Sequence, residues 1–246
     1  MHEVKKNYGL IGKKLDHSFS KDFFTNHFSL NQINASYENI ELSSLESFRS
    51  LISNFDGFNV TIPYKELILP FLDDLSSDAR EIGAVNVIEI LHGKCIGHNT
   101  DAFGFHQSIK SFFSNKHERA MVLGTGGASK AVAYVLEKMG VDVIFISRSP
   151  ASESEFSYEQ VNAHMMSACK MIVNTTPVGT YPNIEDTPVF PFEYLTEEHF
   201  IVDLIYNPVK TTFLKMAEEK GALILNGESM LKEQAMKSYQ IWTQHV

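Results

Sequence analysis

The chain has 246 residues, 43% of them hydrophobic, enough for one or two domains with a substantial core. A net charge of -9 with no basic stripe excludes a nucleic-acid partner, and no apolar run reaches transmembrane length. Cys95 and Cys169 stand far apart outside any pairing motif, and the ten histidines lack ligand spacing, so a reducing compartment and no metal site are expected.

The N-terminal MHEVKKNYGLIG lacks a signal peptide's apolar core, which makes the cytoplasm the expected location. Tyr8 to Ile11 reads as a strand ending at Gly12, followed by a polar loop containing His17-Ser18-Phe19-Ser20. Ser18 and Ser20 are two apart, so in an extended loop both hydroxyls can face one side and donate to a carboxylate. The competing reading makes Ser20 the cap of a helix from Lys21 to Leu30, and it is favoured on spacing alone. Ala35 to Ile40 reads as a strand and Leu42 to Ser53 as an amphipathic helix with Leu45, Phe48, Leu51 and Ile52 on one face. Phe58 to Ile62 alternates as a strand should, and Pro63 then opens a helix with Lys65 just inside it, a position that by itself reads as surface. Val85 to Ile90 is a strand carrying Asn86 near its start, and His92-Gly93 turns it back. Asp101 is a candidate cap for a helix over Ala102 to Phe113. Asn59, Thr61, Lys65, Asn86, Asn99 and Asp101 thus collect at strand ends, where open α/β sheets bind ligands.

Ala120 to Pro150 has a more specific pattern. Met121 to Leu123 is a short apolar run, broken by Gly124, Gly126 and Gly127 and the adjoining Ala128. A helix follows with Ala131, Val132, Val135, Leu136 and Met139 at spacings of three and four, stopped by Gly140, and Val141 to Ile146 is a buried strand. Glycines let the backbone turn sharply and approach a pyrophosphate, while the helix N-terminus points free N–H groups at it. The pattern departs from G-x-G-x-x-G only in having Ser129 at the third glycine. After the second strand an NAD site would carry an acid, but this chain has Ser147-Arg148-Ser149, whose guanidinium and hydroxyls suit the extra phosphate of NADP. The plainer reading of Arg148 is a solvated loop residue.

Ala151 to Glu159 reads as loop or short helix. Met171 to Val173 is a strand running into Asn174-Thr175-Thr176-Pro177, a loop expected to approach the cofactor. Phe200 to Ile205 is another, ending at Tyr206-Asn207-Pro208. A helix over 211–220, a strand over 222–225 and a helix from Glu228 to Val246 complete the chain. No long heptad or exposed apolar stripe fixes an oligomeric state, so monomer and homodimer both stay open.

Eight stretches in order carry a resemblance: HSFS at 17–20, GFNVTIPYK at 57–65, GAVN at 83–86, GHNTDAFGF at 97–105, GTGGA at 124–128, NTTP at 174–177, DLIYNP at 203–208 and GESMLKEQ at 227–234. In these the chain resembles the shikimate dehydrogenases, NADP-dependent enzymes that reduce 3-dehydroshikimate in chorismate and aromatic amino acid biosynthesis. The resemblance implies an α/β fold with an N-terminal α/β substrate-binding domain, residues 1–100 with 228–246, and a Rossmann-type, doubly wound parallel-sheet NADP-binding domain over 101–227, around a cleft. It implies Lys65 and Asp101 as the catalytic pair. Ser18 and Ser20 would bind the substrate carboxylate near Tyr206, with Thr61, Asn86, Asp101 and Gln234 on the ring hydroxyls. Gly124, Gly126, Gly127, Ala128, Ser147, Arg148, Thr175, Leu204 and Gly227 would bind NADP.

The chain departs from the family pattern in places. Lys14 and Lys21 replace the usual prolines beside the serine pair, Ser147-Arg148-Ser149 replaces Asn-Arg-Thr, and Leu204 stands where many members have methionine. Three other readings stay open: a quinate/shikimate dehydrogenase using NAD or both cofactors, a catalytically silent relative that binds dinucleotide or shikimate, and an unrelated Rossmann-type reductase. Retention of both Lys65 and Asp101 argues against the silent relative.

Overall fold

In the computed structural model residues 4–15 and 18–245 are described. The chain divides into two compact units, Met1–Thr100 with Ala235–Val246, and Asp101–Gln234.

The first unit is built on β1 (Lys6–Gly12), α1 (Phe19–Leu30), β2 (Ala35–Glu41), α2 (Phe48–Leu51), β3 (Gly57–Val60), α3 (Tyr64–Leu67), β4 (Asp74–Leu75), α4 (Ser77–Ile82), β5 (Val87–Leu91) and β6 (Lys94–His98). Its strands form one mixed sheet in the order β2-β1-β3-β5-β6-β4. β1 pairs in parallel with β2 and β3, while β5 runs antiparallel to β3 and β6. Residues alternate between the faces of β1, so the sheet has two apolar sides. Ile11 belongs with Phe48, Phe58, Ile68 and Ile88. Tyr8 and Leu10 belong with Phe24, Phe28, Tyr37 and Trp242, and the Tyr8 and Trp242 rings stack 4.5 Å apart.

The second unit contains α5 (Asp101–Ile109), β7 (Arg119–Leu123), α6 (Gly127–Lys138), β8 (Asp142–Ile146), β9 (Glu155–Phe156), α7 (Ala163–Ala168), β10 (Met171–Asn174), β11 (Phe200–Asp203), α8 (Thr212–Glu218) and β12 (Leu223–Leu225). Its strand order is β12-β11-β10-β7-β8-β9, and each pairing is parallel. The order runs outward in both directions from β7 and β10, as in a doubly wound dinucleotide fold. β10 and β11 are buried at every residue, as strands covered on both faces must be. Met121, Ile172, Ile201, Phe213 and Leu214 fill one layer of the core. Helix α9 (Glu228–Thr243) ends the chain, its first residues in the second unit and its last in the first.

Several elements differ from the sequence expectation. The helix expected over 42–53 is divided into a 3-10 turn at Leu45–Ser47, α2, and a second 3-10 turn at Ile52–Asn54. Leu45 and Phe48 are both buried, and their spacing of three suits the tighter helix. The segment over 151–159 contributes the edge strand β9, which pairs with β8. Helix α5 opens at Asp101 itself and stops at Ile109, where the amides of Phe112 and Phe113 fold back onto the Ile109 carbonyl.

Candidate functional site

In the first unit the serine pair divides its work in the opposite sense to the capping expectation. Helix α1 begins at Phe19, two residues earlier, and its cap is Ser18. Ser18 keeps extended backbone angles (φ -101°, ψ 108°), and its hydroxyl accepts the Lys21 amide at 3.2 Å. Ser20 lies inside the first turn, and its side chain hydrogen-bonds the phenol of Tyr37. Both serines are half-buried, and Lys14 and Lys21 are exposed. His17, the first residue of that motif, lies outside the described residues.

Thr61 follows β3, its amide bonded to the Ile11 carbonyl at 2.9 Å and its carbonyl accepting the Tyr64 amide that starts α3. Lys65, half-buried on α3, is fixed at its backbone by the Val85 amide, which donates to the Lys65 carbonyl at 2.7 Å. Asn86 is buried, with its Oδ1 accepting the Thr100 amide at 2.7 Å and its Nδ2 donating to Thr100 Oγ1 at 3.0 Å.

A buried relay joins Ser20 to Asn86. The Tyr37 hydroxyl donates to Asn59 Oδ1 at 2.7 Å. Asn59 Nδ2 donates to the Asn86 carbonyl at 3.2 Å and to Ser238 Oγ at 3.0 Å, and Ser238 meets Thr100 Oγ1 at 3.2 Å. The carbonyl partner fixes the orientation of the Asn59 amide, and so the direction of the Tyr37 proton. Burial holds the Tyr37 phenol far above its ordinary pKa, so it stays a neutral donor. Tyr37 and Ser238 were not singled out from the sequence. A tyrosine on an alternating strand and a serine on an otherwise amphipathic helix carry no local signal of a shared partner.

In the second unit β7 ends at Leu123, and Gly124 takes φ +103°, which a side chain rarely adopts. A Cβ there would stand 2.9 Å from Thr175 Oγ1, which itself donates to the Leu123 carbonyl at 2.6 Å. Gly126 caps α6 with no side-chain hydrogen bond, and nothing lies within 4 Å of where its Cβ would be. Gly127 and Ala128 form the first turn behind it. The glycine loop therefore leaves open space before an uncapped helix N-terminus, which fits a pyrophosphate. Ser129 is fully buried and returns its hydroxyl to the Gly126 carbonyl, so the residue in place of the third glycine packs and is satisfied.

Ser147 accepts the Ser149 amide at 3.2 Å, and the Arg148 side chain is exposed at the tip of this turn. Its charge reaches Tyr158, lowering a phenol that burial raises. Leu204 follows β11, its amide bonded to the Asn174 carbonyl at 3.0 Å. Gly227 packs directly on it: a Cβ at 227 would lie 2.0 Å from the Leu204 carbonyl oxygen, and the Gly227 amide donates to the Ile205 carbonyl. Tyr206 is half-buried in the loop beyond. Asp101 is buried at the head of α5, and Gln234 is buried on α9 with its amide on the Leu231 carbonyl.

A six-stranded parallel sheet with a glycine turn after its central strand, and a strand-end arginine in place of an acid, places the chain among the Rossmann-type oxidoreductases. Residues 10–88 match the model of the shikimate dehydrogenase substrate binding domain. The shikimate dehydrogenase (NADP(+)) of Caldicellulosiruptor saccharolyticus is 39% identical, covering 97% of this chain and 92% of the relative. The structure of shikimate 5-dehydrogenase from Thermus thermophilus, in complex with NADP(H) and shikimate, superposes with a TM-score of 0.86 at 31% identity, covering 97% of this chain and 94% of that one. Quinate dehydrogenase from Corynebacterium glutamicum, in complex with NAD, gives 0.87 at 27% identity, covering 98% and 94%. The chain belongs to the shikimate dehydrogenase family.

Proposed function

We propose that this chain catalyses the reversible NADPH-dependent reduction of 3-dehydroshikimate to shikimate, the step that serves chorismate and aromatic amino acid biosynthesis. The observation that carries this reading is similarity to an NADP-dependent shikimate dehydrogenase over 97% of the chain. Residues 1–100 with 228–246 bind the substrate and residues 101–227 the cofactor, a division supported by the substrate-domain match over 10–88 and the parallel sheet of the second unit.

When bound, NADPH supplies the hydride. The ketone oxygen gains negative charge in the transition state, and the Lys65 ammonium stabilises that charge and donates the proton. Asp101 is the second member of the catalytic pair. In the oxidative direction neutral Lys65 takes the hydroxyl proton. Ser18 and Ser20, with Tyr206, donate to the carboxylate, and Thr61, Asn86, Asp101 and Gln234 hold the ring hydroxyls. Gly124, Gly126, Gly127 and Ala128 receive the pyrophosphate. Ser147 and Arg148 take the 2′-phosphate, while Thr175, Leu204 and Gly227 complete the dinucleotide site.

The fold alone does not choose between cofactors, since the quinate dehydrogenase in complex with NAD shares it. The choice of NADP is supported by Arg148 and the absence of an acid at 147–149. The reading also implies a cytoplasmic enzyme, monomeric or homodimeric, with small-molecule partners only. It accords with the buried free thiols of Cys95 and Cys169, and no helix is long and apolar enough to cross a membrane among the described residues. The test is a spectrophotometric assay with shikimate or quinate and each cofactor. Turnover is expected with shikimate and NADP, and its absence would overturn the reading.

A further inference from the structure

β11 ends in a carboxylate that the mechanism above does not use. Asp203 has no exposed surface. Its Oδ1 accepts the Asn174 side-chain amide at 3.0 Å and the Ile205 backbone amide at 3.1 Å, and its Oδ2 accepts the Thr211 hydroxyl at 2.6 Å. Asn174 is the last residue of β10, and its own Oδ1 accepts the amide and hydroxyl of Thr176 at 3.1 and 2.7 Å. Thr211 caps α8 by accepting the Leu214 amide at 3.3 Å. One buried group thus ties together the end of the neighbouring strand, the Thr175–Thr176 turn, its own loop and the helix after that loop.

The loops so tied are the ones that carry Thr175, Leu204 and Tyr206. Leu204 lies between the Asn174 carbonyl on one side and Gly227 on the other, and closes against a glycine with no room for a methyl group. An apolar residue at 203 would leave three donors unanswered, and an asparagine, with one oxygen in place of two, would answer the Asn174 and Ile205 donors but take the acceptor from the Thr211 hydroxyl proton. Only an ionised carboxylate accepts all three. The partners acting on it are Thr211, the Ile205 amide and Asn174, all uncharged. We propose that Asp203 is a positioning residue: as a carboxylate it fixes Leu204 and Tyr206 against the Thr175 turn and so sets the affinity of the second unit for the dinucleotide. This inference rests on the dinucleotide-binding role given to Thr175 and Leu204 above.

The experiment compares the full chain with Asp203→Asn by fluorescence titration of NADPH without substrate, from pH 5 to 8. At pH 8 the variant is expected to bind about tenfold more weakly, as loss of a buried charged acceptor implies. Burial pushes the Asp203 carboxyl up to about 6, so wild-type affinity carries an extra acid limb near that pH, and the ratio of the two dissociation constants approaches one below it. The ratio is the proper readout because the cofactor's own phosphate titrates in the same range. Dissociation constants within twofold at pH 8, or a ratio flat with pH, would overturn the proposal. Should Asp203→Asn fail to fold, Thr211→Val keeps the carboxylate but removes one donor. It is expected to move the acid limb upward in pH, and an unmoved limb would count against the role. If wild type binds NADPH but does not turn over shikimate, the substrate reading fails while this comparison stands.

Discussion

The two units hold their strand ends by opposite means. In the first, the polar groups beneath the candidate substrate residues are neutral: Ser20, Tyr37, Asn59, Ser238, Thr100 and Asn86 pass hydrogen bonds from one to the next. In the second, a single carboxylate takes three donors at once. A neutral relay has proton directions but no charge to desolvate, so it is cheap to bury and indifferent to pH. A charge binds more donors more tightly, at the cost of removing it from water. The mixed sheet favours the first solution because the relay's members come from β2, β3, the turn before β5 and the segment after β6. The parallel sheet favours the second because neighbouring strands end side by side.

The largest expected effect separates chemistry from both scaffolds. Lys65→Ala should lower kcat by about two to four orders of magnitude, the usual contribution of a general acid–base group. Shikimate binding, measured by equilibrium titration, should change little, and a near-normal rate would remove Lys65 from the mechanism. Next comes the charge itself. The Asp203 carboxyl titrates at about 6 when folded, above its unfolded value of about 4, so the native state holds that proton more tightly. Its contribution to stability is full below about pH 4 and is lost as pH rises through 6, a change of about 3 kcal/mol. Urea unfolding should therefore show wild type losing about that much stability relative to Asp203→Asn from pH 4 to 7. A difference constant with pH would mean that the carboxylate is not strained by burial.

The relay should behave otherwise. Asn59→Ala removes the acceptor of the Tyr37 hydroxyl and one of the partners of Ser238, and should cost about 2 kcal/mol. That cost should be the same from pH 5 to 8, because no member of the relay titrates there. A pH-dependent cost would break the contrast between the units. Smallest is the change at the rim: Arg148→Ala should raise KM for NADPH about tenfold and leave KM for NADH nearly unchanged. Equal effects would mean that the 2′-phosphate is read elsewhere.

Much of this was legible in the sequence, for local reasons. The β7–α6–β8 unit announces itself because glycines, helix period and buried strand follow one another within about 30 residues. Tyr37, Ser238 and the role of Asp203 were not legible. Asn59 and Ser238 lie 179 positions apart, and no local pattern encodes that pairing. Asp203 stood inside a motif, but the three donors that give it a purpose come from Asn174, Ile205 and Thr211. The capping expectation failed for a simpler reason: two serines two apart both suit a helix start, and only the backbone angles of Ser18 decide between them.

Ser238 and Trp242 also set an order of events. The Trp242 ring nitrogen donates to the Ile88 carbonyl at 3.0 Å, and Ser238 completes the Asn59 relay, so the first sheet is sealed by residues from the far end of the chain. The second unit is continuous from Asp101 to Gln234. On the ribosome it is therefore complete first, while the strands made earliest wait with one apolar face open until the last helix emerges. The strands made before the second unit are thus closed after it, and loss of Ala235–Val246 would remove that closure from the first unit.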